Sequence, residues 1–199
     1  MPTVGQWARD HYLDRHFGRM ATKLLPGEYY ATRDTEVIVT VLGSCVAACL
    51  LDPESGVAGM NHFLLPDNGD GDQARSARYG VHAMELLYNQ LVALGADWRR
   101  IQAKVFGGGQ VIEGMTHNPV GQRNAVFVRD FLAREGIPLV AEDLLGDCAR
   151  KVFLFTDTGQ VWVKKIRNYK NDTIQQRELQ YRERAKRAAV EGAWDLFVQ

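Results

Sequence analysis

Two residues of this chain have the types and the spacing for nucleophilic chemistry: Cys45 and, seventeen positions later, His62. A thiolate, not a thiol, attacks carbonyl carbon, and a free cysteine has a pKa of about 8.5, so a neighbouring imidazole is needed to arm it near neutral pH. A third group has to hold that imidazole in the right tautomer. Thr40, whose hydroxyl both donates and accepts, is the nearby candidate. Backbone N–H groups at the Gly43-Ser44-Cys45 bend are suited to receive the oxyanion of an acyl-transfer intermediate. Gly43, Ser44 and Asn61 are accordingly the candidate oxyanion or substrate contacts.

These residues need two strands to bring them together. Val37-Ile38-Val39-Thr40-Val41-Leu42 is an apolar, β-branched run, and the Gly43-Ser44 pair interrupts it just before Cys45. Val46 to Leu51 is strand-like again. Asp52-Pro53-Glu54-Ser55-Gly56 supplies turn residues, and Val57 to Leu65 returns as the second arm of a hairpin. Side chains alternate faces with period two, so register decides whether the pair shares a face. With Val57 opposite Asp52, His62 lies opposite Ala47 and diagonal to Cys45, roughly 7–8 Å away along the backbone. A slip of one residue would separate them.

Each residue also has a plainer reading. A cysteine in an apolar run commonly serves as a small hydrophobe. Cys49 has similar neighbours without the Gly-Ser bend and reads as core. A zinc site built on Cys45 and Cys49 lacks a second ligand pair at metal-site spacing, so no metal and no cofactor is expected.

Thr40-Val41-Leu42-Gly43-Ser44-Cys45-Val46-Ala47 followed by Gly59-Met60-Asn61-His62-Phe63-Leu64-Leu65-Pro66 resembles the signature of the chemoreceptor glutamine deamidase family, CheD. Further stretches agree in order: Leu25-Pro26-Gly27-Glu28-Tyr29-Tyr30, Ala77-Arg78-Tyr79-Gly80, Lys104-Val105-Phe106-Gly107-Gly108, Gly121-Gln122-Arg123-Asn124, and Arg150-Lys151-Val152-Phe153 leading into Thr156-Asp157-Thr158-Gly159. The resemblance spans about residues 23–166. It implies a cysteine hydrolase that converts glutamine side chains on the cytoplasmic helices of chemoreceptors to glutamate, with Cys45 as nucleophile, His62 as base and Thr40 as orienting residue. It also implies a CheC-type phosphatase as a partner, and two sheets layered with helices outside. Leu144 to Cys148 departs from the family pattern.

Composition narrows the alternatives. The chain has 199 residues, 46% of them apolar and 24% charged, which is the profile of one globular domain. Its formal net charge is zero, which argues against a general nucleic-acid binder. Three cysteines without disulfide-scaffold spacing favour a reducing compartment, the longest apolar stretch is too short to span a bilayer, and the N-terminus lacks a signal-peptide core. The expected location is the cytoplasm, without direct membrane insertion.

Along the rest of the chain, strands are expected over 27–33, 36–42, 101–106, 137–142, 151–155 and 160–166, with Asp157-Thr158-Gly159 a hairpin turn. Met84, Leu87, Leu91 and Leu94 mark a helix over 73–94, ended by Gly95. Asn124 is expected to cap a second helix running to Glu135. Asp67 to Asp72 starts like a calcium loop, but position twelve is Arg78 rather than glutamate. Gly107-Gly108-Gly109 has neither the lysine nor the spacing of a nucleotide loop and suits close backbone approach beside the active site. Strands that cluster as hairpins indicate an α+β fold with a layered α/β/β arrangement, two mostly antiparallel or mixed sheets and peripheral helices.

Residues 1–22 read as a leader, either a short docking helix or unstructured, before a deamidase domain over 23–166. Residues 167–199 form a basic, helical or flexible extension. Between 164 and 187 nine Lys or Arg (164, 165, 167, 170, 177, 182, 184, 186, 187) face three acidic residues (172, 178, 183). Trp194 and Phe197 near the end resemble an aromatic docking peptide, with packing on the domain as the simpler reading. The rival function is a non-catalytic partner of chemoreceptors or of a CheC-type phosphatase. A papain-like protease fits less well, because there the thiol is helix-borne.

Overall fold

A computed structural model describes residues 6–65, 73–111 and 120–166, together with 176, 180, 181 and 183 of the C-terminal stretch. The strands are β1 (Gln6–Trp7), β2 (Asp10–Asp14), β3 (Arg19–Lys23), β4 (Glu28–Thr32), β5 (Val37–Leu42), β6 (Val46–Asp52), β7 (Val57–Asn61), β8 (Gln102–Gly107), β9 (Leu139–Leu144), β10 (Ala149–Phe155) and β11 (Val161–Ile166). Two long helices, α1 (Gln73–Ala93) and α2 (Val120–Arg134), accompany them. One mixed sheet runs β1-β4-β7-β6-β8-β9 and the other β11-β10-β5-β3-β2. Antiparallel pairs dominate, and β1–β4, β8–β9 and β3–β5 are parallel. The class is α+β, as expected.

β6 sits inside the six-stranded sheet and is buried at every position, which explains its unbroken apolar sequence. Its side chains divide by parity. Val46, Ala48 and Leu50 join a core with Met84, Leu87 and Leu91 of α1 and Val128, Phe131 and Leu132 of α2. Cys45, Ala47, Cys49 and Leu51 join a second core with Ile38 and Leu42 of β5 and Val152 and Leu154 of β10. One set of β6 side chains thus packs with helix residues, and the other with residues of the five-stranded sheet. Each fully buried Leu, Val or Phe stabilises the fold by about 1.5–3 kcal/mol.

The β6–β7 hairpin has the register that chemistry requires, with Asp52 opposite Val57 and Cys49 opposite Met60. Asp52 pins its turn. Its carboxylate accepts hydrogen bonds from the amides of Glu54 and Asp97 and from Nε and Nη2 of Arg100. The Arg100 guanidinium holds that carboxyl well below the usual carboxylate range. Beyond Asn61 the pairing continues as a bridge, with Val46 and Phe63 exchanging hydrogen bonds of 3.0 and 2.9 Å. α1 ends as the sequence indicates: Gly95 takes φ +96°, and Ala96 donates back to the Leu91 carbonyl.

Three expectations need correcting. Residues 6–14 are strands rather than a helix or an unstructured leader: β1 extends the first sheet and β2 the second, because Trp7 packs on Tyr29 and Tyr30 and the His11 ring bonds the Thr22 hydroxyl. Asn124 lies within α2 and does not cap it, since both ends of its side chain bind other segments. β9 runs two residues later than expected, with Leu139 and Val140 exposed at the sheet edge. The Asp67–Asp72 loop and the Trp194–Phe197 peptide lie outside the described residues.

Candidate active site

The site forms where the first sheet meets the second. His62 follows β7, and its backbone is held on both sides: its N–H donates to the Glu28 carbonyl (2.9 Å) and its carbonyl accepts from Gly27 N–H (2.7 Å). Its side chain crosses to the second sheet, where Nδ1 lies 2.8 Å from Oγ1 of Thr40 on β5. Thr40 Oγ1 also lies 3.0 Å from the Leu24 carbonyl oxygen. A carbonyl can only accept, so the single hydroxyl proton of Thr40 goes to Leu24. Nδ1–H of His62 then donates to Oγ1, and this fixes the tautomer. Nε2 is left as the unprotonated nitrogen.

Burial reinforces that state. His62 is 2% exposed, and desolvation pushes its pKa down to about 3, opposed weakly by the Leu24 backbone. The ring is neutral at physiological pH, so Nε2 is unprotonated and offers a lone pair, while burial at the same time lowers its basicity. Nε2 is buried and has no hydrogen-bond partner among the described residues. It is not bonded to the Cys45 thiol here. Catalytic hydrogen bonds are commonly long in unliganded enzymes and tighten in the complex.

Cys45 lies on the same face of the sheet as His62. It shares the inter-sheet core with Ala47, which the hairpin register sets opposite His62. The thiol is fully covered. Tyr79 of α1 and Tyr181 of the C-terminal stretch are nearby: Tyr181 packs on the Cys45 core, and its hydroxyl hydrogen-bonds that of Tyr79. Burial first and the neighbouring Cys45 second raise the Tyr79 pKa well above its ordinary value. Cys49 lies further along the same inter-sheet core. Burial pushes its thiol up to about 12, and Lys104 offsets only part of that.

The bend before Cys45 is gripped through its carbonyls. Gly109 N–H donates to Gly43 O at 2.8 Å, Asn124 Nδ2 to Ser44 O at 2.8 Å, and Gly108 N–H to Cys45 O at 2.7 Å. In trans peptides each following N–H points the opposite way. The Ser44 and Cys45 amides are therefore turned away from Gly108, Gly109 and α2. Gly107 shows why glycine is needed here: its φ is +110°, and a Cβ would come within 2.2 Å of the Cys45 carbonyl oxygen. The triple glycine serves close backbone approach.

Asn61 faces the other way from His62. Its Oδ1 accepts from Ala48 N–H, and its Nδ2 donates to the Ala83 carbonyl and contacts Met84 Sδ, all on the helix side of the sheet. Its amide is thereby committed to holding α1 against β6 and β7, and the structure does not bring it to the Cys45 face. Thr40 and His62 do meet, and Gly43 and Ser44 shape the turn. Sequence reasoning missed Tyr79, Asn124 and the Leu24 carbonyl as neighbours of the site. Tyr79 and Asn124 stand inside recognisable motifs, but a backbone acceptor leaves no trace in residue type.

The departure at Leu144 to Cys148 has a structural basis. Arg150, 2% exposed, donates to Asp143 and to the carbonyls of Leu145 and Cys148. Leu145 takes φ +66°, and its N–H donates to Gly107 O while Gly146 O accepts from Gln110. The loop braces the glycine stretch that grips Cys45.

A cleft of about 340 Å³ reaches Thr40 and His62 from the β5 side, between Leu24–Pro26, Val39–Val41, Tyr12, Lys23 and Lys151. It exists because β3 pairs with β5 only through Val39, leaving Thr40 and Val41 beyond its end. Among the described residues no group of three His, Cys, Asp or Glu is placed to hold a metal ion, and no helix is long and apolar enough to cross a membrane.

Residues 64–165 match the family model described as CheD chemotactic sensory transduction. Curated relatives match nearly end to end. A protein of Thiobacillus denitrificans is 53% identical over 96% of this chain and 96% of its own length. One of Dechloromonas aromatica is 52% identical over 96% of each, and one of Laribacter hongkongensis 50% identical over 94% of this chain and 92% of its own. All three carry the name "Probable chemoreceptor glutamine deamidase". A family model spanning half the chain and relatives at this identity over nearly its whole length lead to one conclusion: the chain belongs to the CheD family.

Proposed function

We propose that this protein deamidates glutamine side chains of chemoreceptors to glutamate, using Cys45 as nucleophile, His62 as general base and acid, and Thr40 as the orienting residue. The observation that carries the roles is the Leu24 O–Thr40 Oγ1–His62 Nδ1 chain, which leaves Nε2 basic on the face that Cys45 shares. In the first half-reaction Nε2 takes the thiol proton and the thiolate attacks the amide carbon. The tetrahedral oxyanion is received by the Ser44 and Cys45 amides. Collapse breaks the C–N bond, His62 returns the proton to the leaving nitrogen, and ammonia departs from a thioester.

In the second half-reaction Nε2 deprotonates water, which attacks the thioester carbon. The C–S bond breaks, and glutamate is released with the thiol restored. One water is consumed and one ammonia formed. A glutamate methyl ester would pass through the same steps with methanol leaving, so esterase activity on methylated receptors is part of the proposal. Because Cys45 is covered, the receptor helix must displace the side chains over it.

The three buried cysteines, none joined in a disulfide among the described residues, suit a cytoplasmic setting, and a CheC-type phosphatase is the proposed regulatory partner. We further infer that helices, first sheet and second sheet stack as three layers, which suits the two separate cores. The test is incubation with a receptor cytoplasmic fragment. Ammonia release and mass gains of about one dalton at glutamines are expected from the native protein and not from Cys45→Ala. Equal gains from both would refute the assignment.

A further inference from the structure

Asn124 is a polar side chain placed at 0% exposure in the middle of α2, where an apolar residue would serve packing better. Both of its ends are used, and each binds one of the two segments that carry the reacting groups. Nδ2 donates to the Ser44 carbonyl at 2.8 Å, one peptide before the Cys45 Cα. Oδ1 accepts from Leu65 N–H at 2.9 Å, three residues after His62. Between those contacts the Val46–Phe63 bridge also joins the segments. The helix is itself seated against the glycine grip, since a Cβ on Gly121 would lie 2.4 Å from the Gly108 carbonyl oxygen.

We propose that Asn124 is a positioning residue that ties the nucleophile turn to the base strand and so sets the alignment of Cys45 Sγ with His62 Nε2. The proposal rests on the assignment of those two residues as nucleophile and base. It makes no contact with substrate part of the role. Loss of the Nδ2 donor frees the Ser44–Cys45 peptide to rotate, which shifts the thiol and the Cys45 N–H together. Misplacement by about 1 Å at a reacting centre costs about a hundredfold in rate.

The experiment compares N124A and N124D with the native protein, alone and combined with His62→Ala, using ammonia release from a receptor fragment and iodoacetamide alkylation of Cys45. N124A is expected to lower kcat by about tenfold to a hundredfold with KM changed by less than about threefold. In the His62→Ala background the same change is expected to cost little more, because the alignment it sets has already lost its purpose. N124D keeps an acceptor for Leu65 and, when protonated, a donor for Ser44. It is expected to recover part of the activity as pH is lowered, and it serves if N124A does not fold. Native kcat in N124A at a lowered Tm, or a full independent loss in the His62→Ala background, would overturn the proposal and leave a merely structural asparagine. Full activity in Cys45→Ala would instead overturn the site assignment beneath it.

Discussion

Thr40 Oγ1 and His62 Nδ1 stand 2.8 Å apart across the junction of two sheets, so the base of the proposed reaction is oriented by a residue from a different sheet than its own. Replacing Thr40 with Val keeps the shape and removes the hydroxyl. Nδ1–H is then left without its acceptor, and the ring loses the lock on its tautomer. Ammonia release should fall by about ten- to a hundredfold, and Thr40→Ser should restore most of it. Steady-state rates on one receptor fragment, with Tm measured beside them, check this.

Cys49 is buried with its thiol pushed up to about 12, whereas Cys45 belongs to the core against which Tyr181 packs. Tyr181→Ala should speed iodoacetamide modification of Cys45 several-fold at pH 7.5 while Cys49 stays unmodified in the folded protein. Peptide mapping after short exposures reads both sites at once. Modification of Cys49 at the rate of Cys45 would show general loosening of the core instead.

His62 also makes a stability prediction, and its sign follows from proton counting. Its folded pKa is about 3, below the ordinary value of about 6.5, so between those pH values the unfolded chain binds the extra proton. Stability from the buried neutral ring is complete above about pH 6.5 and is lost as pH falls towards 3, with a limiting slope of about 1.4 kcal/mol per pH unit. Urea unfolding at pH 7, 6 and 5 should show this decline. His62→Gln should flatten it, though the Asp52 carboxyl, held down by Arg100, adds its own loss at lower pH.

Gly107→Ala would set a methyl group 2.2 Å from the Cys45 carbonyl oxygen at a φ of +110°. Both the strain and the displaced nucleophile should register. The expected outcome is a loss of about 1–3 kcal/mol in stability with activity falling further than the unfolded fraction explains. Gly56→Ala is the control, because it has a positive φ but open space around it and lies at the far end of the hairpin.

The hairpin that carries the site was legible because its signals agree: an apolar run, a five-residue turn containing Asp, Pro and Gly, and a second run; its register stayed open in the sequence and is set by Asp52 against Val57 in the structure. Period-two alternation then put Cys45 and His62 on one face. The second sheet's part was partly legible, since Thr40 could be named from its hydroxyl but not the Leu24 carbonyl that orients it. The first strands were hidden because Trp7, His11 and Asp14 fall on one side of a helix, and only tertiary pairing, with β4 for Trp7 and with β3 for His11 and Asp14, makes them strands. Asn61 was misplaced by proximity in sequence: adjacent strand residues point to opposite faces, so the neighbour of a site residue belongs to the helix side.

The account turns on whether a receptor glutamine becomes covalently attached to Cys45. Mass spectrometry of acid-quenched native protein, taken within single turnovers with a receptor fragment, tests it directly. The account predicts an adduct on the Cys45 peptide lighter than the sum of the two components by one ammonia, and its absence in Cys45→Ala. Glutamate formation at full rate with no such adduct, or an adduct on Cys49 or Cys148, would contradict it.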